Sequence, residues 1–198
     1  SVLEEAQQVC EWRQIVEPPA HKRRVGIMGL GNLGADCART LTSIGFDVVG
    51  WARSLKNIDG VACFAGNEDR KAFLESTEIL VCMLPLTNET ENILNSELFS
   101  TLPEGACLIN VARGEHLVEA DLLSAIRVGQ IAAATLDVFH EEPLPVDHPF
   151  WSHPDILVTP HIASLIDPVA GGERIANNLR KFIAGDVVDD LIPPGKNY

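Results

Sequence analysis

The sequence predicts a doubly wound α/β fold, a parallel sheet with helices on both faces. Three observations carry this expectation. Along the 198 residues, short β-rich apolar runs alternate with helical segments, which is the pattern of a parallel sheet built through crossover helices. Several of these runs are apolar throughout, as strands covered on both faces must be. The first of them leads directly into a glycine-rich turn, Gly29-Leu30-Gly31-Asn32-Leu33-Gly34.

That opening unit is the most specific part of the pattern. The run Val25-Gly26-Ile27-Met28 reads as a strand, the turn follows, and helical spacing then continues to Ile44. In such a turn Gly29 permits the tight bend, Gly31 lets backbone approach a pyrophosphate, and Gly34 lets the helix sit close to the strand. The helix N-terminus presents free N–H groups and a partial positive charge to phosphates. A glycine turn can also serve packing alone. Its context here, with a second strand Asp47-Val48-Val49-Gly50-Trp51 at βαβ spacing, favours a Rossmann-type dinucleotide-binding domain.

The remaining elements follow in order. A strand is expected at Val61-Ala62-Cys63-Phe64, then a helix over residues 69–75, then a strand Ile79-Leu80-Val81-Cys82-Met83 that ends at Leu84-Pro85. A further buried strand, Ala106-Cys107-Leu108-Ile109-Asn110, leads to a helix over 118–127 that Gly129 terminates. The run Ile131-Ala132-Ala133-Ala134-Thr135-Leu136-Asp137 is ambiguous, because alanine favours helix. Its length and its place between a helix-ending glycine and a loop assign it as a strand. A last strand, Ile156-Leu157-Val158-Thr159, precedes a helix over 169–184. At the start, residues 2–16 have helical spacing and end at Glu17-Pro18-Pro19, so they read as an entering helix with a stiff connector. Residues 186–198, with Pro193-Pro194-Gly195, read as an irregular tail. The expected division is a dinucleotide-binding domain over 1–168 and a C-terminal helix and tail over 169–198.

Composition narrows the partners. With 46% hydrophobic and 22% charged residues the chain can bury one substantial core. No apolar stretch approaches the roughly 20 residues that span a bilayer, and Ser1-Val2-Leu3-Glu4-Glu5 is acidic where a signal peptide is basic. Both point to the cytoplasm and away from membranes. A net charge of −13 opposes binding to nucleic acid, so an anionic ligand must be held by local groups. The five cysteines (Cys10, Cys37, Cys63, Cys82 and Cys107) lack the close pairing of zinc or redox motifs and read as buried free thiols. No metal site is expected.

Three segments carry candidate chemistry at expected strand ends, where open α/β sheets bind ligands. In Asn110-Val111-Ala112-Arg113-Gly114 an arginine follows a buried strand, and its fork can grip a carboxylate through two parallel hydrogen bonds. In Leu136-Asp137-Val138-Phe139-His140-Glu141-Glu142-Pro143 acidic groups follow a strand, and in Thr159-Pro160-His161-Ile162-Ala163-Ser164 a histidine follows a proline. Taken singly, each has a plain alternative: a structural ion pair, a solvated acidic loop, a structural histidine. Taken together they are the groups needed to reduce a 2-oxo acid. Arg113 would hold the substrate carboxylate and polarise the carbonyl, and His161 would donate a proton to the carbonyl oxygen as hydride arrives at carbon. Glu142 would hydrogen-bond the other ring nitrogen and orient the ring.

These motifs, together with Leu84-Pro85-Leu86-Thr87, resemble in order and spacing the D-isomer-specific 2-hydroxyacid dehydrogenases, and within them the glyoxylate/hydroxypyruvate reductase A-like branch. The resemblance covers nearly the whole chain. It implies Arg113, Glu142 and His161 as the catalytic set and Asp137 near the nicotinamide carboxamide. It also implies a cofactor cleft lined by Leu84, Pro85 and Thr90, by Val111, Ala112 and Arg113, and by His161 and Ala163, with the glycine turn from Gly29 through Leu30, Asn32 and Leu33 to Gly34. A small 2-oxo acid as substrate and a homodimer follow from the same resemblance. In this family a substrate domain is built mostly from a stretch before the dinucleotide domain. The sequence supplies no such stretch, so the expectation is a cofactor-binding fragment of a longer enzyme.

Cofactor choice can be read from the end of the second expected strand. NAD-selective sites usually carry Asp or Glu there for the ribose hydroxyls. This chain has Trp51-Ala52-Arg53-Ser54-Leu55-Lys56 instead, a guanidinium, a hydroxyl and an ammonium that would welcome a 2′-phosphate. NADPH (NADP) is therefore expected over NADH, with Arg53 the discriminator and Ser54 its neighbour. The alternative is that Arg53 and Lys56 are solvated surface cations. From a different functional class, the same scaffold resembles the C-terminal-binding protein corepressors, where it serves as a dinucleotide-sensing, non-catalytic assembly module. A complete minimal cofactor-binding protein is a third reading.

Overall fold

The computed structural model describes residues 2–16, 18–165 and 167–188. The chain divides into two compact units after Pro160. The first contains seven parallel strands: β1 (Arg24–Met28), β2 (Asp47–Ala52), β3 (Ala62–Ala65), β4 (Ile79–Cys82), β5 (Ala106–Asn110), β6 (Ile131–Leu136) and β7 (Ile156–Val158). Their spatial order is β3-β2-β1-β4-β5-β6-β7, so the winding reverses between β1 and β4. Crevices at such reversals, beyond the carboxyl ends of the strands, are where doubly wound sheets bind ligands. The register puts Met28, Cys82, Asn110, Leu136 and Val158 in one row across the sheet. The segments that follow these residues therefore all emerge at one edge.

The helices of this unit are α1 (Val2–Gln8), α2 (Asn32–Ser43), α3 (Gly66–Glu75), α4 (Ser96–Thr101) and α5 (Glu119–Arg127). Two buried clusters cover the sheet, one containing Val25, Ile27, Ala38, Val48 and Val81, the other Met28, Phe73, Leu80, Phe99, Leu108 and Leu136. Alternation along β1 feeds both, as a strand covered on two faces requires. The alanine-rich run 131–136 is a strand, β6, paired on both sides with Ile131, Ala134 and Leu136 buried. Burial between two strands here outweighs alanine's helical preference. Gly129, at φ 80°, follows α5 and closes it as expected.

Three expectations need correction. The entering helix stops at Gln8 instead of continuing to residue 16. Cys10 adopts a left-handed φ of 54°, and Glu11 N–H bonds back to Ala6 O at 2.8 Å, which closes the last turn. Trp12 and Val16, apolar positions of the expected helix, are more than nine-tenths exposed. Second, of the five cysteines only Cys82 in β4 is buried, Cys10 being exposed and the others partly so. Burial pushes the Cys82 thiol up to about 12. Third, α4 has no counterpart in the sequence reading. It is capped by Asn95, whose side chain accepts Leu98 N–H at 3.1 Å, and its Ser96 N–H is taken by Asp121 at 2.8 Å.

The second unit contains α6 (Pro168–Ala184). Asp167 caps it by accepting Val169 N–H at 3.0 Å, and Gly185 at φ 77° closes it. Its apolar residues Ile175, Leu179, Phe182 and Ile183 are exposed. The connector residue Glu17 and the tail from residue 189, with Pro193-Pro194-Gly195, lie outside the described residues.

Candidate active site

The edge defined by the row from Met28 to Val158 begins with the glycine turn. Gly29 sits at φ 112° with its N–H on Trp51 O at 2.8 Å, and a Cβ there would stand 2.6 Å from Met83 O. A Cβ on Gly34 would meet Gly29 O at 1.8 Å, so helix α2 can start so close to β1 only with glycine at that position. Gly31 differs. It is the N-cap of α2, no side chain caps the helix, and a Cβ built there meets nothing within 4 Å. The first-turn N–H groups of α2 thus face an open cradle, with Asn32 and Leu33 exposed beside it. Leu30 contributes only backbone there, because its side chain is buried over Gly50. A dinucleotide pyrophosphate fits these donors.

Across the reversal, the loop after β4 holds Leu84, buried, and Pro85, exposed. Thr90 organises this loop: its hydroxyl donates to Pro85 O at 2.7 Å and accepts Thr87 N–H at 2.8 Å. Arg53 and Ser54 are exposed after β2. The carboxylate of Glu89 is held below the usual range, first by hydrogen bonds from Thr87 and its own backbone and then by the charge of Arg53. That last interaction brings the 84–90 loop within electrostatic reach of the guanidinium.

The segment after β5 is bound to its surroundings by side chains. Asn110 is fully buried; its amide donates to Arg113 O at 3.1 Å and accepts Ala112 N–H at 3.2 Å. Val111 N–H bonds Cys82 O at 3.3 Å, and Ala112 is buried. The Arg113 side chain is exposed, and its Nη1 donates to Ala112 O at 2.6 Å, which steadies the fork. A Cβ on Gly114 would stand 2.0 Å from the Phe139 carbonyl carbon and 2.4 Å from His140 N. The segments after β5 and β6 therefore touch backbone to backbone, immediately beside Arg113.

After β6, Asp137 is buried. Its N–H bonds Asn110 O at 3.0 Å, and its carboxylate accepts the Thr159 hydroxyl at 2.5 Å. Glu142 is exposed and accepts Phe139 N–H at 2.9 Å, so its carboxylate is tied to the residue against which Gly114 lies. The structure thus sets the segments that carry Arg113 and Glu142 side by side, from neighbouring strand ends. His161 and Ala163 belong to the second unit. The His161 backbone is at φ 52°, a left-handed conformation uncommon outside glycine.

Two histidines of this edge were not singled out in the sequence. His116 is fully buried between Arg113 and Pro85, and His140 Nε2 donates to Leu117 O at 2.8 Å. Their partners lie up to 31 residues away, which no local pattern reveals.

Residues 2–163 match the family model for the D-isomer specific 2-hydroxyacid dehydrogenase NAD binding domain. The chain belongs to this dehydrogenase family. Among curated members, it is 51% identical over 190 residues to glyoxylate/hydroxypyruvate reductase A of Serratia proteamaculans, covering 94% of this chain and 61% of that protein. A reductase of the same name from Yersinia enterocolitica is 48% identical over 186 residues, 93% of this chain and 59% of that one. The chain thus spans about three fifths of the length of these dehydrogenase relatives. Among solved structures, it superposes with TM-score 0.93 and 46% identity on a D-isomer specific 2-hydroxyacid dehydrogenase from Xanthobacter autotrophicus in complex with NADPH and MES, covering all of this chain and 81% of that one. An NADPH-dependent glyoxylate/hydroxypyruvate reductase from Sinorhizobium meliloti, in complex with NADP and sulfate, matches with TM-score 0.92 and 38% identity over 97% of this chain and 62% of that chain.

Proposed function

We propose that this chain is the cofactor-binding part of an NADPH-dependent reductase of small 2-oxo acids of the glyoxylate and hydroxypyruvate kind, working in the cytoplasm as a homodimer. The observation that carries the reading is the backbone contact of Gly114 with Phe139, which sets the segments carrying Arg113 and Glu142 side by side at the same sheet edge as the open cradle of Gly31. The names of the relatives from Serratia and Sinorhizobium support the substrate class and the cofactor.

The dinucleotide would be held by the N–H groups at the start of α2 and by the loops at Leu84, Pro85, Thr90, Val111 and Ala112. Arg53 and Ser54 would take its 2′-phosphate. When bound, the nicotinamide supplies the hydride that reaches the carbonyl carbon. Arg113 binds the substrate carboxylate through its fork and stabilises negative charge developing on the carbonyl oxygen. In the roles read from the sequence, His161 would donate the proton to that oxygen and Glu142 would orient the donor. Asp137, whose carboxylate accepts the Thr159 hydroxyl, would help to hold the carboxamide. Residues 1–168 form the dinucleotide-binding domain in this reading, and 169–198 a separate terminal segment. A non-catalytic sensing module is not favoured, because the relatives above are named as reductases and dehydrogenases.

The test is NADPH oxidation with glyoxylate and with hydroxypyruvate, beside a His161→Ala control and a direct titration of NADPH. Turnover that the control loses supports the reading. Tight NADPH binding without turnover in the folded chain would confine the function to holding cofactor, and absence of both would sink the proposal. Light scattering decides between monomer and dimer.

A further inference from the structure

Resting on that reading, we propose that His116 is a positioning residue that couples the cofactor side of the site to its substrate side through opposite edges of one neutral ring. Its Nε2 lies 3.3 Å from Pro85 O. A carbonyl can only accept, so the ring proton belongs on Nε2. Nδ1 is then the acceptor for Arg113 N–H, 3.2 Å away. Arg113 O also lies 3.1 Å from Nδ1, but that carbonyl already accepts the Asn110 amide at 3.1 Å and the His116 backbone N–H at 3.3 Å, so it needs no ring proton. The Nδ1–H tautomer would instead turn two lone pairs toward each other at Pro85, and a doubly protonated ring would leave Arg113 N–H without its acceptor. The Nε2–H tautomer serves Pro85 O and Arg113 N–H together in a fully buried ring.

The surroundings make this ring a rigid link. Backbone pairing joins the two loops at the same point, with Asn92 N–H on Glu115 O and Leu94 N–H on His116 O, both at 2.8 Å, and Val118 N–H on Leu94 O at 3.0 Å. Pro85 O receives a second donor, the Thr90 hydroxyl at 2.7 Å. Arg113 O is tied to the Asn110 amide. Within loops that backbone pairing already holds together, the ring is the link that ties the Pro85 carbonyl itself to the Arg113 N–H. Pro85 belongs to the loop assigned to the cofactor, and Arg113 carries the fork assigned to the substrate carboxylate.

Two conservative substitutions separate the arms. In His116→Asn the shorter amide reaches the Nδ1 position and keeps Arg113, whereas in His116→Gln the longer one reaches the Nε2 position and keeps Pro85. The Asn variant should raise the NADPH Kd about fivefold and leave the glyoxylate KM within about twofold, and the Gln variant should do the reverse. Thr90→Val, which removes the other donor to Pro85 without touching Arg113, should follow the Asn pattern. A merely structural histidine would lower the Tm of these variants without splitting Kd from KM; equal shifts in both constants, or in neither, overturn the proposal. A readout apart from turnover is the ring itself: long-range proton–nitrogen NMR of the unmodified chain should show His116 as the neutral Nε2–H tautomer, and an Nδ1–H or doubly protonated ring overturns the bridge. If the chain neither binds NADPH nor reduces glyoxylate, the functional reading falls, while this spectrum still decides whether the bridge exists.

Discussion

The turn after β1 takes its shape from side chains that are missing, whereas the segment after β5, from Asn110 up to the crowded Gly114, takes its shape from side chains that bond to backbone. In the first, Gly29 and Gly34 stand where a Cβ would strike Met83 O and Gly29 O, and Gly31 leaves donors uncovered. In the second, Asn110 and His116 satisfy the backbone of Ala112 and Arg113 from within the protein. The difference has a functional sense. A turn that receives phosphate must leave its N–H groups available, while a segment that aims a guanidinium must leave nothing loose.

The hardest blow to this comparison comes from the two crowded glycines. Gly34→Ala and Gly114→Ala each drive a Cβ into backbone, at 1.8 and 2.0 Å, and backbone cannot be repacked. Each should cost roughly 3 kcal/mol or more, or prevent folding, in urea unfolding; a loss below about 1 kcal/mol would mean that the segments separate easily. Next in size is Asn110→Ala. It orphans the buried Ala112 N–H and takes one of the donors from Arg113 C=O, and should cost about 1–3 kcal/mol in the same measurement.

Arg53→Ala sharpens the other side of the comparison. Affinity for NADPH should fall about tenfold or more, close to 1.4 kcal/mol, with NADH affinity nearly unchanged; equal loss for both would remove Arg53 as the discriminator. The smallest change in stability belongs to Gly31→Ala, at an ordinary φ of −74° with open space around it. Unfolding free energy should move by no more than about 0.5 kcal/mol, while NADPH titration shows weaker binding because a methyl group now stands in the cradle. A stability loss as large as that of Gly34→Ala would erase the distinction between an open and a crowded glycine.

The same contrast explains what the sequence disclosed. The glycine turn and the strands β1, β2, β4 and β5 were legible because a glycine pattern and an apolar run are local signals. The strand β6 was legible only from its position, since alanine speaks for helix. Arg113 and Glu142 could be read as chemistry, but not the backbone contact between Gly114 and Phe139 that brings their segments together. His116 was invisible because its meaning lies in Pro85, distant along the chain. The helix expected to continue to residue 16 failed at Cys10, where the backbone turns left-handed, a change that helical spacing does not register. The helix α4 is too short for a periodic signal and depends on Asn95 and Asp121 for its start.

The buried Cys82 thiol gives the molecule an internal clock. It lies at the end of the strand beside the winding reversal, fully covered, with its ionisation pushed up to about 12. At neutral pH almost none of it is thiolate, the form that alkylating reagents attack. Cys10, by contrast, is exposed. A pulse of iodoacetamide should therefore mark Cys10 at once and Cys82 only when the centre of the sheet opens. Mass spectrometry of the two peptides then times the opening of the sheet that carries the site, and bound NADPH should slow that clock by stabilising the closed form.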